Sequence, residues 1–284
     1  MSAIVPPKGC SAPIEQTIKV GKKSLKLSIY ENPDTITIFI GGHTLFCIDA
    51  LINKPGSMMD RIGYDISVAH LSHIYYNINC SLEKNFQRGH DTNMILTLLL
   101  SYIKDNYKYI KSVSFNDSSS RECDNGNVVE LSEMSYIRTG FTWYETHFSA
   151  YLAASDAHKF KKCEENFQKL KSEFKWENMK NYMSEQLPLD ESIMHDIFEN
   201  AKTWQDFFGP VSDRIGISEF CVFVAPWLHR FLTTTLRYNF SSGTYLFPIE
   251  KIPYIEYIIE IYTRGGRRYT RKSIKNFSRV IHNE

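Results

Sequence analysis

The stretch FQRGHDTNMILTLLLSYIKDNY, from Phe86 to Tyr107, decides how this chain is read. Met94, Ile95, Leu98, Leu99, Tyr102 and Ile103 recur at helical spacing, while Thr97, Ser101, Lys104 and Asp105 fall toward the other face. The spacing predicts an amphipathic helix, and Asp91 or Thr92 can cap it by accepting an orphan backbone N–H. Gly89 stands just ahead of that start. A helix entered through glycine is a place where an anion can come close to backbone amides, with the positive end of the helix dipole behind them.

Upstream, the texture from Lys19 to Asn53 is β. SLKLSIY and TITIFIGG alternate apolar and polar residues around the turn ENPD, which predicts a hairpin, and HTLFCIDALI reads as a third strand. The segment GGH, Gly41 to His43, reads as a hairpin turn rather than an anion site. A further strand is predicted in SVAHLSHIYYNIN, with Leu71, Tyr75 and Ile78 as core candidates. Downstream, YIKSVSFND reads as a strand, and LSEMSYIRT as a short helix closed by Gly140 in the left-handed conformation. FTWYETHF reads as a strand continuing from there. Beyond about residue 150 the pattern turns helical and charged, with one helix after Asp190 and another over SEFCVFVAPWLHRFLTTTLRY kinked at Pro226. A last strand or helix is expected around Tyr254–Tyr262.

This gives an α+β fold. Residues 1–18 are expected to form an extended arm, 19–150 an α+β domain, 151–262 a mainly helical extension and 263–284 a basic tail. At 284 residues the chain is long enough for a substantial core, and a net charge of +1 excludes a polyanion binder that works through overall charge. The 18 Phe and 17 Tyr point to a ring-rich interior. Cys10, Cys47, Cys80, Cys123, Cys163 and Cys221 are scattered without a CxxC pair, a spacing that predicts no metal site and reduced thiols in an intracellular compartment. No apolar run reaches the roughly 18 residues of a membrane span, and the N-terminus lacks the pattern of a secretory signal, so a soluble protein is expected.

Two segments carry a resemblance. The order strand, glycine-bearing loop, amphipathic helix, strand, short helix and GF resembles the GNAT acetyltransferase superfamily over roughly residues 20–150. The first segment is Gln87-Arg88-Gly89-His90-Asp91-Thr92-Asn93, where the family has Gln/Arg–Arg–Gly–x–Gly–x–Gly/Ala. The second is Tyr136-x-Arg138-x-Gly140-Phe141, which is similar to the family's Tyr-x-Lys/Arg-x-Gly-Phe. The resemblance implies a GNAT-like mixed sheet flanked by helices, with acetyl coenzyme A as cofactor, its pyrophosphate on the amides of residues 87–93. It also implies an amine acceptor, on a small molecule or a protein, and Tyr136 as the acid for the departing thiolate. His73 or Glu83 could by position supply the base. Asp91 and Asn93 stand where the family keeps glycine or glycine/alanine, so Asp91→Gly is expected to tighten cofactor binding. The alternative is a GNAT-like fold without catalysis, acting as a binding or virion structural protein.

The tail TRGGRRYTRKSIKNFSRVIHNE carries Arg264, Arg267, Arg268, Arg271, Lys272, Lys275 and Arg279 with no acid before Glu284. Such a run suits nucleic acid or an acidic protein surface, or else it is a solvated tail. In composition the chain resembles proteins of large DNA viruses, which would imply the host cytoplasm or the virion as its location.

Overall fold

The computed structural model describes residues 14–42, 46–74, 77–87, 89–117, 119–169, 174–183, 187–239, 243–263 and 266–270, the side chains of residue 169 and of those beyond 260 excepted. The fold is α+β, and the chain divides into two compact units, Met1–Val113 with Ile249–Glu284, and Ser114–Pro248. The expected division near residue 150 therefore falls inside the second unit, and the chain returns to the first unit for its last segment.

The first unit is built on β1 (Ile14–Val20), β2 (Lys23–Glu31), β3 (Thr35–Ile40), β4 (Ile48–Asn53), a helical turn α1 (Met58–Arg61) and β5 (Val68–Ile74). The long helix α2 (His90–Asn106) follows, then β6 (Ser112–Asn116), within which the chain passes to the second unit. Each strand from β1 to β5 pairs antiparallel with the next, through short turns after β1 and β2 and a longer connection carrying α1 between β4 and β5. The ENPD turn is held by Asn32, whose Oδ1 accepts from the amides of Asp34 and Thr35 at 2.9 and 2.6 Å. α2 buries Ile95, Leu96, Leu98, Leu99, Leu100 and Ile103. Ser101, expected on the polar face, is buried too, and its Oγ accepts the amide of Ile255 at 3.2 Å.

Several expectations are corrected here. The arm proposed for residues 1–18 falls outside the described residues as far as residue 13, and Ile14–Val20 is instead strand β1. Its alternation, with Ile18 and Val20 buried, gives it a face to bury once β2 folds back on it. Ile78 lies exposed in a single turn of 3₁₀-helix rather than in the core, Leu71 is buried as expected, and Tyr75 lies outside the described residues.

In the second unit, β7 (Ser120–Glu122) and β8 (Val128–Glu130) form a small hairpin ahead of α3 (Leu131–Thr139). α3 ends on Gly140 at φ +77°, as the sequence pattern predicts. The segment read as a continuing strand is helix α4 (Trp143–Phe148), because Thr142 and Glu145 close a capping box on its first turn. The chain then runs through β9 (Tyr151–Leu152), α5 (Ala154–Lys169), α6 (Trp176–Lys180), α7 (Glu191–Asn200), α8 (Trp204–Ile215), α9 (Ile217–Val224) and α10 (Leu228–Phe231). A π-helical turn at Leu232–Leu236 and β10 (Thr244–Pro248), antiparallel to β9, complete the unit. The helix expected after Asp190 is two helices, since a second capping box, Thr203 with Asp206, restarts the chain at α8. The helix expected around Pro226 likewise breaks into α9 and α10 across Ala225–Trp227. The core here is aromatic: Trp204 meets Phe231 edge-on at 4.9 Å, and Phe115 stacks on Phe247 at 4.3 Å.

Back in the first unit, β11 (Ile258–Thr263) pairs antiparallel with β1 and with β12 (Gly266–Thr270). Part of the expected tail is thus a strand: Thr263 pairs with Gly266, the spacing of a two-residue hairpin. Residues 271–284, with Arg271, Lys272, Lys275 and Arg279, and the side chains of Arg264, Arg267 and Arg268 lie outside the described residues.

The reduced-thiol expectation is also corrected. Cys47 and Cys80 form a disulfide in the first unit, with Cα atoms 5.8 Å apart, and Cys123 and Cys221 form one in the second, at 5.6 Å. Partners 33 and 98 residues apart leave no local spacing signal, so only the folded chain reveals them. Cys163 is buried and unbridged, and Cys10 lies outside the described residues.

Candidate functional site

The loop that feeds α2 is anchored strand by strand. Ser81 bridges to Leu25 on β2. Glu83 accepts from the amide of Ser24 at 3.0 Å and from the Ser81 hydroxyl at 2.5 Å. Those bonds, the Ser81 hydroxyl foremost, pull the Glu83 carboxyl down to about 2. A carboxylate so committed makes a poor proton acceptor at neutral pH, which removes the chemical case for Glu83 as a base.

Lys23, at the start of β2, donates to the Asn85 carbonyl at 2.9 Å and pairs with Asp91 Oδ2 at 2.7 Å. The same Asp91 oxygen accepts the Gln87 amide at 2.5 Å, and Oδ1 meets His90 Nδ1 at 3.0 Å. Burial alone would push the Asp91 carboxyl up, but Lys23, the Gln87 N–H and His90 together hold it below the usual range. Asp91 is therefore a buried, ionised brace across the loop, its charge opposed by Lys23. It does not cap α2, as the sequence suggested; the helix is entered at Gly89, at φ +83°, with no side-chain cap.

Around that entrance there is room. A Cβ built on Gly89 meets nothing within 4 Å, so the glycine serves the backbone turn rather than a close contact. The His90 side chain is exposed, and Thr92 and Asn93 are half-buried. The Asp91 amide donates to the Gln87 carbonyl at 3.1 Å and the Asn93 amide to the Gly89 carbonyl at 3.0 Å. Arg88 lies outside the described residues.

The same unit holds a histidine–carboxylate pair. Asp49 on β4 faces His73 on β5, and the register slips between Asp49 and Ala50 so that Ser72 bulges. Asp49 Oδ1 meets His73 Nδ1 at 2.9 Å, with the carboxylate buried and the ring half exposed. Burial pushes the Asp49 carboxyl above its ordinary value, and the contact with His73 opposes that rise. An Nδ1–H held by a carboxylate fixes the tautomer in which Nε2 is the basic nitrogen. The sequence named His73 but missed Asp49 and Lys23. Asp49 is 24 residues from His73, and Lys23 is remote from Asp91, so the strand pairing is the only signal for either.

Tyr136 belongs to the second unit, on α3, and is 1% exposed. It packs on Phe160 and Phe167, with ring centroids at 5.4 and 4.8 Å, and its hydroxyl meets Cys163 Sγ at 4.0 Å. Burial raises the phenol and pushes the Cys163 thiol up to about 12, so both hold their protons.

A second histidine–carboxylate pair lies in this unit: His229 Nδ1 meets Glu133 Oε1 at 2.7 Å, with Glu133 buried and His229 half exposed. The Glu133 bond raises His229, and burial raises Glu133, Glu130 and Asp117. Among the described residues no three His, Cys, Asp or Glu side chains converge as metal ligands, and no helix is long and apolar enough to cross a membrane. No protein-family profile, curated protein or solved structure matches the chain.

Proposed function

We propose that this chain is a divergent GNAT-like acyltransferase whose first unit takes acetyl coenzyme A at the start of α2. The observation that carries the reading is the open space beside the Gly89 backbone, at the start of a 17-residue helix, with the Asp91 carboxylate turned inward onto Lys23. A pyrophosphate there meets the positive end of the helix rather than a bare negative charge. The acceptor is an amine. Its nitrogen attacks the thioester carbonyl carbon, a C–N bond forms, the C–S bond breaks, and the thiolate leaves with the electron pair. His73, oriented by Asp49, takes the proton from the amine. For Tyr136, the burial and the contact with Cys163 support a packing role rather than that of the acid.

Calorimetric titration of the full chain with acetyl coenzyme A tests this. Saturable binding is expected, and none at millimolar ligand would overturn the proposal. The brace reverses the effect expected of Asp91→Gly: loss of the Gln87 and Lys23 contacts should loosen the loop and weaken binding. In an acetyl-transfer assay against polyamines and lysine peptides, His73→Gln should lower the rate and leave acetyl coenzyme A affinity unchanged.

A second reading, a non-catalytic member of the same fold, is favoured by the Asp91 and Asn93 amides, which already serve backbone carbonyls. It expects no acetyl coenzyme A binding.

A further inference from the structure

We infer that the second unit carries a separate binding site for a small oxyanion, carboxylate or phosphate, built around Arg138. The site goes beyond the acyltransferase reading and does not depend on it.

Arg138 is the penultimate residue of α3, and α8 passes close to it because Gly209 has no side chain: a Cβ there would lie 3.4 Å from the Arg138 carbonyl. Arg138 Nε is buried without a hydrogen-bond partner, and no carboxylate among the described residues stands within ion-pair distance of the side chain. The residue as a whole is half-buried, so the charge is not sealed in, but a buried N–H with nothing to meet it is costly. Such a group calls for a ligand or ordered water.

The surroundings form a cleft of about 670 Å³ lined by Arg138, Lys202, Gln205, Asp206, Pro210 and Asp213, among others. That volume is within the range of small-molecule sites. Of the two acids, Asp206 is already occupied: its Oδ2 accepts the amides of Lys202 and Thr203 at 3.1 and 2.9 Å, which caps α8. Asp213 is exposed on the cleft wall and can take an ammonium carried by the same ligand. A planar guanidinium edge suits the paired oxygens of a carboxylate or phosphate, which Lys cannot match.

The test follows the Arg138 Nε–H resonance of the full chain by NMR while sodium acetate, and separately inorganic phosphate, is titrated at constant ionic strength. A saturable downfield shift is expected with at least one ion, and the tighter of the two tells carboxylate from phosphate. Arg138→Met should weaken that ion at least tenfold, and Arg138→Lys should weaken it less. Removing the unmet N–H should leave the thermal midpoint of the Met variant unchanged or raise it. No saturation with either ion below 100 mM, or unaltered binding in the Met variant, overturns the site. A fall of the midpoint by more than about 5 °C also overturns it, because it would show Arg138 meeting partners within the protein. If the Met variant does not fold, the titration of the unmodified chain decides.

Discussion

The two units solve the problem of polar groups differently. In the first, buried carboxylates each meet a basic side chain: Asp91 pairs with Lys23 at 2.7 Å, Glu260 with Lys19 at 2.9 Å and Asp49 with His73 at 2.9 Å. In the second, Asp117, Glu130 and Glu133 cluster with His229 beside them, and Glu130 Oε2 has no hydrogen-bond partner. The cores differ as well. The first is an antiparallel ladder of sequence neighbours, whereas the second is a packed set of rings from distant helices, Phe198, Trp204 and Phe231 among them. A ladder is reinforced locally, residue by residue; the ring cluster depends on every helix being in place.

The largest effects should therefore fall on the second unit. Replacing Cys123 and Cys221 with Ser opens a 98-residue loop and is expected to cost about 4–5 kcal/mol, against about 3–4 kcal/mol for Cys47 and Cys80 across 33 residues. Chemical denaturation of the two double variants measures the difference, and equal losses would erase this contrast between the units. Trp204→Ala empties the centre of the ring cluster and should cost about 3–5 kcal/mol. Hydrogen exchange should then accelerate in α7, α8 and α10 while β2 to β4 keep their protection.

Next comes Asp91→Ala, which strands the Gln87 amide and a largely covered Lys23. A loss of about 2–3 kcal/mol is expected, with exchange faster at the start of α2 than at its end. The sign of the pH response should also separate the units. His229 is raised by Glu133, so its contribution is complete below about 6.5 and is lost as pH climbs through the raised value. Asp117, Glu130 and Glu133 are raised by burial, so their ionisation above about 4 also works against the fold. The second unit should exchange faster at pH 8 than at pH 5.5. In the first unit Glu83 and Asp91 are lowered, which gives stability above their unfolded values that is lost as pH falls toward 2, with the Asp49 carboxyl running the other way. Acid should therefore open the loop before α2 first, and matching pH profiles in both units would break the comparison. The smallest expected effect is Gly140→Ala, about 1 kcal/mol from its left-handed φ, read as a small shift in denaturation midpoint.

What could be read along the chain was local. The β2–β3 hairpin, α2 and the closure of α3 by Gly140 follow from alternation, helical spacing and turn chemistry, each written within a dozen residues. α4 was also written locally, in Thr142 and Glu145, but the resemblance at Gly140-Phe141 implied a strand continuing over FTWYETHF. The candidate site was half legible: Gly89 and His73 stood out as residue types, while their partners did not.

The amino-acid sequence by itself determined an α+β chain with a β-rich start, a glycine-led helix and a later helical texture, because periodicity and capping act between neighbours. Only the tertiary structure decided that Asp91 turns inward to Lys23, that Asp49 orients His73, that four cysteines pair, and that Arg138 Nε is buried without a hydrogen-bond partner. Each of those depends on which side chains share a low-dielectric contact after strands and helices pack, and no spacing along the chain encodes that proximity.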